Sequence, residues 1–252
     1  MTIIGQWDAL TIQMVWFTGD ARRHSAATLF SQLLGIEPDA YQSNKSISAP
    51  VPFLSSASGV VDDLSYNLNV QPSRVDLLLQ REAPPDQQPA TIADPEVRLG
   101  KLIAMSQSLS NLLTSVNRLA LVTTLIQPAE SHAAANKVAA EMIGIELPRY
   151  DVTEFSLQLN SRVPFDDGSK TQLNRFLKFG VVSFHSVFFE VGSPVMTPQS
   201  VQQFGASLSI DVNSVPVLEP LDPATQSDMW NALASETIRL REIGNLGGLF
   251  DA

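Results

Sequence analysis

The stretch LSYNLNVQPSRVDLLL, residues 64–79, predicts a β-hairpin at the centre of the fold. Apolar and polar residues alternate from Leu64 to Val70, and apolar residues alternate again from Val75 to Leu79. The intervening Gln71-Pro72-Ser73 has the composition of a turn. Because successive side chains of a strand point to opposite faces, this hairpin buries one face and exposes the other.

The residues before the hairpin predict a strand, a helix and a loop. Alternating apolar residues favour a strand at 9–17, and a helical pattern at 21–35 ends at Gly35, a residue typical of helix C-termini. Segment 37–58 mixes proline with many serines, which favours an irregular loop with a short extended piece at 51–54.

The residues after the hairpin complete a first module. A proline-rich linker at 81–93 leads to Asp94-Pro95, a pair typical of a helix N-terminus, and apolar residues then recur every three or four positions. A strand follows at 118–126. The resulting order of strand, helix, strand, strand, helix, strand is that of a ferredoxin-like α/β sandwich. We therefore predict an α+β fold whose ferredoxin-like βαββαβ module covers residues 1–127.

The remainder predicts a second α+β module. Residues 128–147 read as a connecting helix and linker, residues 148–243 as the second module, and residues 244–252 as a flexible tail with three large apolar residues. The second module is expected to contain strands at 151–163, 180–191 and 204–212, a loop tip at 166–169, a short helix at 170–178 and a long helix at 223–243. Its order partly echoes the first, but no residue-level repeat accompanies the echo, so duplication is a topological hypothesis.

The run from Gly180 to Val191 is apolar at both alternating sets of positions. An exposed strand edge of this composition would aggregate. The pattern therefore predicts a central strand or one that is covered on both sides.

Composition narrows the classes of function. The 252 residues include 16 Lys+Arg, 26 Asp+Glu and no cysteine, which gives a formal net charge of −10. Disulfides and cysteine chemistry are therefore excluded, and the acidic balance disfavours nucleic acid as a partner. The N-terminus lacks the pattern of a secretory signal and no stretch reads as a transmembrane helix, so we expect cytoplasmic residence without a membrane role.

Charged residues make up only 17% of the chain, against about 25% in an average soluble domain. Ser, Thr, Asn and Gln replace them. An uncharged polar surface costs less to desolvate than a charged one, so it is suited to burial against another chain. A neutral surface that simply faces water is the other interpretation.

The candidate chemical groups do not form a recognised motif. The three histidines, His24, His132 and His185, lie too far apart in sequence to share a helix face as metal ligands. The acidic pairs at 62–63 and 166–167 are in predicted turns, and neighbouring strand residues point to opposite faces. The sequence therefore predicts no catalytic, metal-binding or cofactor-binding residue, and we expect the protein not to be an enzyme.

Two segments are candidates for partner binding. The predicted helix carries no charge between Lys101 and Arg118, although charged residues are favoured on solvated helix surfaces. Either the rest of this chain or a partner is expected to cover that side, and the apolar residues of the tail are expected to dock on their own domain or on a partner. The candidate partner-binding residues are Ser106, Ser110, Asn111, Thr114, Leu246, Leu249 and Phe250.

These patterns favour a non-enzymatic protein-binding subunit of a homo-oligomer or hetero-complex. An acidic immunity, antitoxin or accessory protein of a bacterial system would fit, since negative charge steers it toward a basic protein partner. The alternative is an enzyme or small-molecule binder with a pocket between the two modules, to which His185, Asp62 or Asp63 would contribute.

Overall fold

The computed structural model describes residues 7–44, 53–82, 89–148, 152–165, 171–189 and 198–249. Its strands are β1 (Asp8–Thr18), β2 (Ala40–Ser43), β3 (Ser55–Val61), β4 (Leu64–Gln71), β5 (Arg74–Arg81), β6 (Val116–Ala129), β7 (Ser156–Pro164), β8 (Gln172–Phe189) and β9 (Pro198–Ser214). Its helices are α1 (Ala26–Leu34), α2 (Pro95–Ser110), α3 (His132–Ile143) and α4 (Pro223–Ile243), with short 3₁₀ helices at Ala21–Arg23 and Leu246–Leu249. The acidic loop tip at 166–169 and Phe250 lie outside the described residues.

All nine strands form one antiparallel sheet in the order β2-β3-β4-β5-β1-β6-β9-β8-β7. The protein is therefore α+β, as the sequence predicts. The ferredoxin-like first module is not confirmed, because the sheet continues without interruption beyond the four strands that were predicted for it.

The loop predicted at 37–58 is wrong in two places, since it contains all of strand β2 and residues 55–58 of strand β3. The composition of β3 explains the error there. Its core-facing residues are small because α1 packs closely on this strand: a Cβ atom at Gly59 would lie 2.9 Å from the ring of Phe30. Close packing of a helix requires small residues here, and the resulting run of Ser, Ala and Gly resembles a loop composition.

The predicted short helix at 170–178 is also wrong, since residues 172–178 belong to β8. The core-facing positions of this strand include Leu173 and Leu177, which have Arg175 between them. Arg175 is buried and pairs with Glu236 of α4 at 3.3 Å. Because the inward-facing arginine interrupts the alternation of apolar and polar residues, the sequence pattern does not indicate a strand here.

Helices α1, α2 and α4 pack side by side on one face of the sheet. Helix α3 packs on β8 and β9 and joins the same apolar core through Ala139 and Met142. At the centre of this core, the rings of Trp16 on β1 and Trp230 on α4 meet edge to face with centroids 5.1 Å apart. None of the helices in the described ranges combines the length and the apolar character that crossing a bilayer requires.

The two halves of the sheet have similar connectivity. In each half a strand is followed by a helix, by a run of consecutive antiparallel strands and by a second helix, and the last strand of the run pairs with the first strand of that half. The run has four strands in the first half (β2 to β5) and three in the second (β7 to β9), so β2 has no counterpart. Strands β1 and β6 are the equivalent first strands, and they pair with each other at the middle of the sheet. The echo expected from the sequence is therefore present in the strand pairing.

Candidate functional site

One face of the sheet points away from α1, α2 and α4, and we call it the polar face. Its side chains alternate with those of the core along each strand, and the strand register places them in continuous rows. They are Ser56, Ser58, Val60, Ser65, Asn67, Asn69, Gln71, Arg74, Asp76, Leu78, Gln80, Thr11, Gln13, Val15, Phe17, Arg118, Ala120, Val122, Thr124, Ser209, Asp211, Asn213, Asn174, Phe176, Lys178, Gln158, Asn160 and Arg162. More than half of them are Ser, Thr, Asn or Gln, so this face is richer in uncharged polar residues than the chain as a whole.

Hydrogen bonds fix the side chains on one half of the polar face around Asp76, a buried residue of β5. Its carboxylate accepts hydrogen bonds from Nε of Arg74 at 2.8 Å, from Gln71 at 3.0 Å and from Gln13 at 3.1 Å. These donors come from three adjacent strands, β5, β4 and β1. The carboxylate therefore holds side chains of three strands in fixed positions.

A matching network on the other half centres on Asn213 of β9. Its Oδ1 accepts hydrogen bonds from Arg118 and from Asn174, both at 2.9 Å, and its Nδ2 donates to Asp211 at 2.8 Å. Oδ1 of Asn174 accepts in turn from Arg162 of β7 at 2.9 Å. A chain of contacts thus runs across β6, β9, β8 and β7.

Phe17 lies between the two networks. It faces Arg74 of β5 on one side and Arg118 of β6 on the other in the strand register. The guanidinium carbons lie 5.8 Å and 4.6 Å from the ring centroid, within cation–π range. The row presents one aromatic ring and two cations on a polar background, a combination enriched at protein interfaces.

The charge of the polar face differs from that of the whole chain. It carries four cations, at Arg74, Arg118, Arg162 and Lys178, and two acids, at Asp76 and Asp211, whereas the chain carries −10 overall. The acidic excess therefore lies elsewhere in the sequence.

The predicted helix is too long at its C-terminus, because α2 ends at Ser110 and Asn111 and Thr114 lie in the segment before β6. The partner-binding residues predicted on it are not brought together on one surface. Ser106 and Ser110 are buried, and each hydroxyl donates to a backbone carbonyl of its own helix. Helix α2 lies between α1 and α4, so this part of the neutral side is covered by the chain itself. Asn111 is exposed, and exposed Thr114 donates through its backbone and hydroxyl to Asp20.

The tail residues also pack on their own chain in part. Residues 246–249 form a 3₁₀ helix against α4, and Leu246 packs on the core. This part of the predicted tail therefore has a regular backbone conformation and lies against its own chain. The side chain of Leu249 and the whole of Phe250 lie outside the described part of the chain.

The residues suggested for a pocket between modules lie far apart. Asp62 and Asp63 form the turn between β3 and β4, while His185 is on β8. Four strands lie between β4 and β8 in the sheet, a separation of about 24 Å at the usual strand spacing. One small molecule of ordinary size cannot contact both.

Two open cavities are each lined by residues of both predicted modules, and the first of them also includes Thr124 and Lys178 of the polar face. One of about 330 Å³ has His132, Glu154 and Lys178 in its lining, and one of about 320 Å³ has Arg81 and Arg241 in its lining. Nδ1 of His132 is 3.1 Å from the Asn136 amide, and Arg241 is 2.8 Å from Glu96. Within the described residues no three His, Asp or Glu side chains are grouped as a metal site requires.

Comparison with known proteins adds no family: no family model, curated protein or solved structure matches this chain.

The sequence contained a signal for the polar face that the prediction did not use. In β4 the residues between core positions are Ser65, Asn67 and Asn69, and in β9 they are Ser209, Asp211 and Asn213. Grouping the alternate positions of all predicted strands would have indicated one largely uncharged surface. The sequence analysis instead assigned that surface to the helix that corresponds to α2.

Proposed function

We propose that this protein is a non-enzymatic protein-binding subunit and that the polar face is its docking surface. The observation that carries the proposal is the composition of this face. A broad sheet surface displays mainly Ser, Thr, Asn and Gln, with apolar and aromatic residues among them. Such a surface loses less solvation free energy when another protein covers it than a surface of Lys and Glu would.

The size of the polar face supports a macromolecular partner. It extends from β3 to β7, about 34 Å at the usual strand spacing, and seven residues of β1 give it a height of about 20 Å. The area of roughly 700 Å² is close to the ~800 Å² that each partner contributes to a standard protein interface. The hydrogen-bonded side chains around Asp76 and Asn213 reduce the entropy that docking would cost.

The charge of the polar face indicates what kind of surface a partner would present to it. A basic partner is the expectation from the net charge of the whole chain, but the polar face has more cations than acids. The protein docked here therefore presents an uncharged or weakly acidic surface. A basic partner would be drawn to the acidic remainder of the molecule instead.

A finer hypothesis concerns ancestry of the first half. Strands β4, β5, β1 and β6 are adjacent, with β5 between β4 and β1. This arrangement supports a ferredoxin-like origin in which β2 and β3 extend the sheet at its edge.

Leu78→Arg tests the docking surface, because Leu78 is a partly exposed apolar residue in the middle of the polar face. Leu218→Arg is the matched control, since Leu218 is fully exposed in the segment between β9 and α4. Both tagged variants and the wild-type chain are expressed in the native host and purified under mild conditions. The stoichiometry of any co-purifying protein is then measured, and circular dichroism checks that the variants fold.

We expect a partner in fixed stoichiometry with the wild-type chain and with Leu218→Arg, and at least a tenfold loss of it with Leu78→Arg. Equal recovery with all three chains would contradict docking on the polar face. The absence of any stoichiometric protein, with the wild-type chain monomeric, would contradict the proposed function.

A further inference from the structure

Strands β8 and β9 are much longer than their counterparts in the first half of the chain. They span 18 and 17 residues, whereas the equivalent β4 and β5 span 8 residues each. Their pairing is continuous from Leu173 with Ser214 to Phe189 with Pro198. The second half therefore carries a two-stranded extension that the first half lacks.

This extension, which we call the arm, consists of residues 181–189 of β8 and 198–203 of β9. Strand β7 pairs with β8 only as far as Gly180, and β6 pairs with β9 only from Phe204 onward. Beyond those points the two strands of the arm pair with each other, and the described residues provide no strand against either outer edge. The sequence expectation that this apolar strand is central or doubly covered is therefore not met within the described chain.

The free edge of β8 lacks the devices that usually prevent strands from pairing across molecules. Between Lys178 and Glu190 the sequence contains no Asp, Glu, Lys, Arg or Pro, and β9 contains no charged residue from Pro198 to Ile210. Natural edges commonly carry a lysine, a proline or a bulge for this purpose. A two-stranded ribbon in water is only marginally stable, so the arm gains stability from a further strand.

We propose that the outer edge of β8 in the arm pairs antiparallel with the same edge of a second copy of this chain. The composition and the symmetry of the arm favour a second copy. Two chains of net charge −10 repel each other over most of their surface, but residues 181–189 and 198–203 contain no acidic side chain, so two copies can meet here without bringing like charges together. An antiparallel pair of identical strands also has a two-fold axis, which gives a closed dimer with no further edge to extend.

The edge of β8 is the better of the two edges of the arm. Among the described residues no strand pairs with its outer edge over nine residues, from 181 to 189, whereas the outer edge of β9 lacks such a strand over six, from 198 to 203. The longer edge forms more backbone hydrogen bonds between copies. This inference rests on the proposed function, since it names a partner for a binding protein, but it uses a different surface from the polar face.

The lack of cysteine makes the test simple, because each single-cysteine variant has one thiol. Ser183→Cys, His185→Cys and Ser186→Cys sample the free edge, Gln158→Cys samples the neighbouring edge of β7, and Leu218→Cys reports random collisions. In an antiparallel two-fold pair, only a position at or next to the axis meets its own copy. The yield of disulfide-linked dimer is measured after mild oxidation of each full-length variant.

The mass in solution is measured in parallel by light scattering at micromolar concentrations. We expect twice 27.4 kDa for the wild-type chain and a linked dimer from one or two of the three arm positions, at least fivefold above Leu218→Cys. Ser183→Lys is expected to shift the mass toward the monomer, and Leu218→Lys, at a fully exposed residue outside both proposed surfaces, is its control.

A wild-type mass of 27.4 kDa at every concentration would overturn pairing through the arm. A dimer that links only through Gln158→Cys, or that persists in Ser183→Lys, would overturn it as well. None of these results affects the Leu78→Arg test. The experiments therefore distinguish failure of the proposed pairing through the arm from failure of the proposed docking on the polar face.

Discussion

Asp20 shows how a buried carboxylate stabilises the end of β1. Its side chain accepts hydrogen bonds from the hydroxyl of Thr18 and from both the hydroxyl and the backbone N–H of Thr114, at 3.1 and 3.0 Å. Burial by itself would raise the pKa of Asp20, but these donors favour the charged form and hold the pKa below its ordinary value of 3.8. The ionised side chain thereby attaches the segment after α2 to the end of β1.

Asp20→Asn is expected to lower the free energy of unfolding by about 1–3 kcal/mol at neutral pH, because charge-assisted hydrogen bonds are replaced by weaker ones. A lowered folded pKa gives stability that is fully present above the ordinary pKa and is lost as the pH falls through the folded pKa. The difference between wild type and variant should therefore shrink in acid. Urea unfolding at neutral pH and at about pH 3 measures both effects; a difference that is the same at both pH values would contradict this assignment.

At the scale of the element, the turn between β3 and β4 is strained. Asp62 and Asp63 both have positive φ, 60° and 79°, as a two-residue type I′ hairpin turn requires. An exposed ion pair between Asp63 and Arg81, at 2.9 Å, offsets a small part of the conformational cost of the positive φ at Asp63. The two adjacent aspartates therefore form a tight turn. This structural role explains their presence without a catalytic or metal-binding function.

Asp63→Gly is expected to raise the free energy of unfolding by about 0.5–1 kcal/mol, because glycine adopts positive φ without a steric cost. Loss of an exposed ion pair removes only a few tenths of a kcal/mol from that gain. Thermal unfolding of the variant beside Asp63→Ala measures the effect. Equal melting temperatures for the Gly and Ala variants would show that φ does not limit stability at this position.

For the whole molecule, one sheet and one core join the two halves. The pairing of β1 with β6 and the contact between Trp16 and Trp230 cross the boundary between them. Both indole rings are fully buried. We therefore expect the halves to unfold together rather than as separate modules.

Trp230→Ala is expected to lower the free energy of unfolding by about 3–5 kcal/mol through the cavity that it leaves. Its unfolding should remain a single transition, with tryptophan fluorescence and far-ultraviolet circular dichroism changing at the same urea concentration. Trp7→Phe is a useful comparison, since Trp7 lies immediately before β1 and donates through Nε1 to the backbone carbonyl of Gly244 at 3.0 Å. Two separate transitions in Trp230→Ala would show that the halves are independent.

The sequence by itself determined the elements whose apolar residues follow one clear period. Strands β1, β4, β5 and β6 and helices α2 and α4 were predicted because each places its apolar residues on one side. Gly35 was predicted to end α1, and its φ of 72° is the left-handed conformation that glycine favours. The absence of cysteine and the excess of acids also follow from composition alone.

Tertiary structure decided what depends on contacts between distant residues. The small side chains of β3 make sense only beneath Phe30, and Arg175 is acceptable in a core-facing position only because α4 supplies Glu236. The polar face likewise exists only after strand pairing aligns residues from separate segments into rows. The physical reason is that period and composition act over a few neighbouring residues, whereas close packing, ion pairing and sheet register are set by partners from about 30 to more than 100 positions away in the chain.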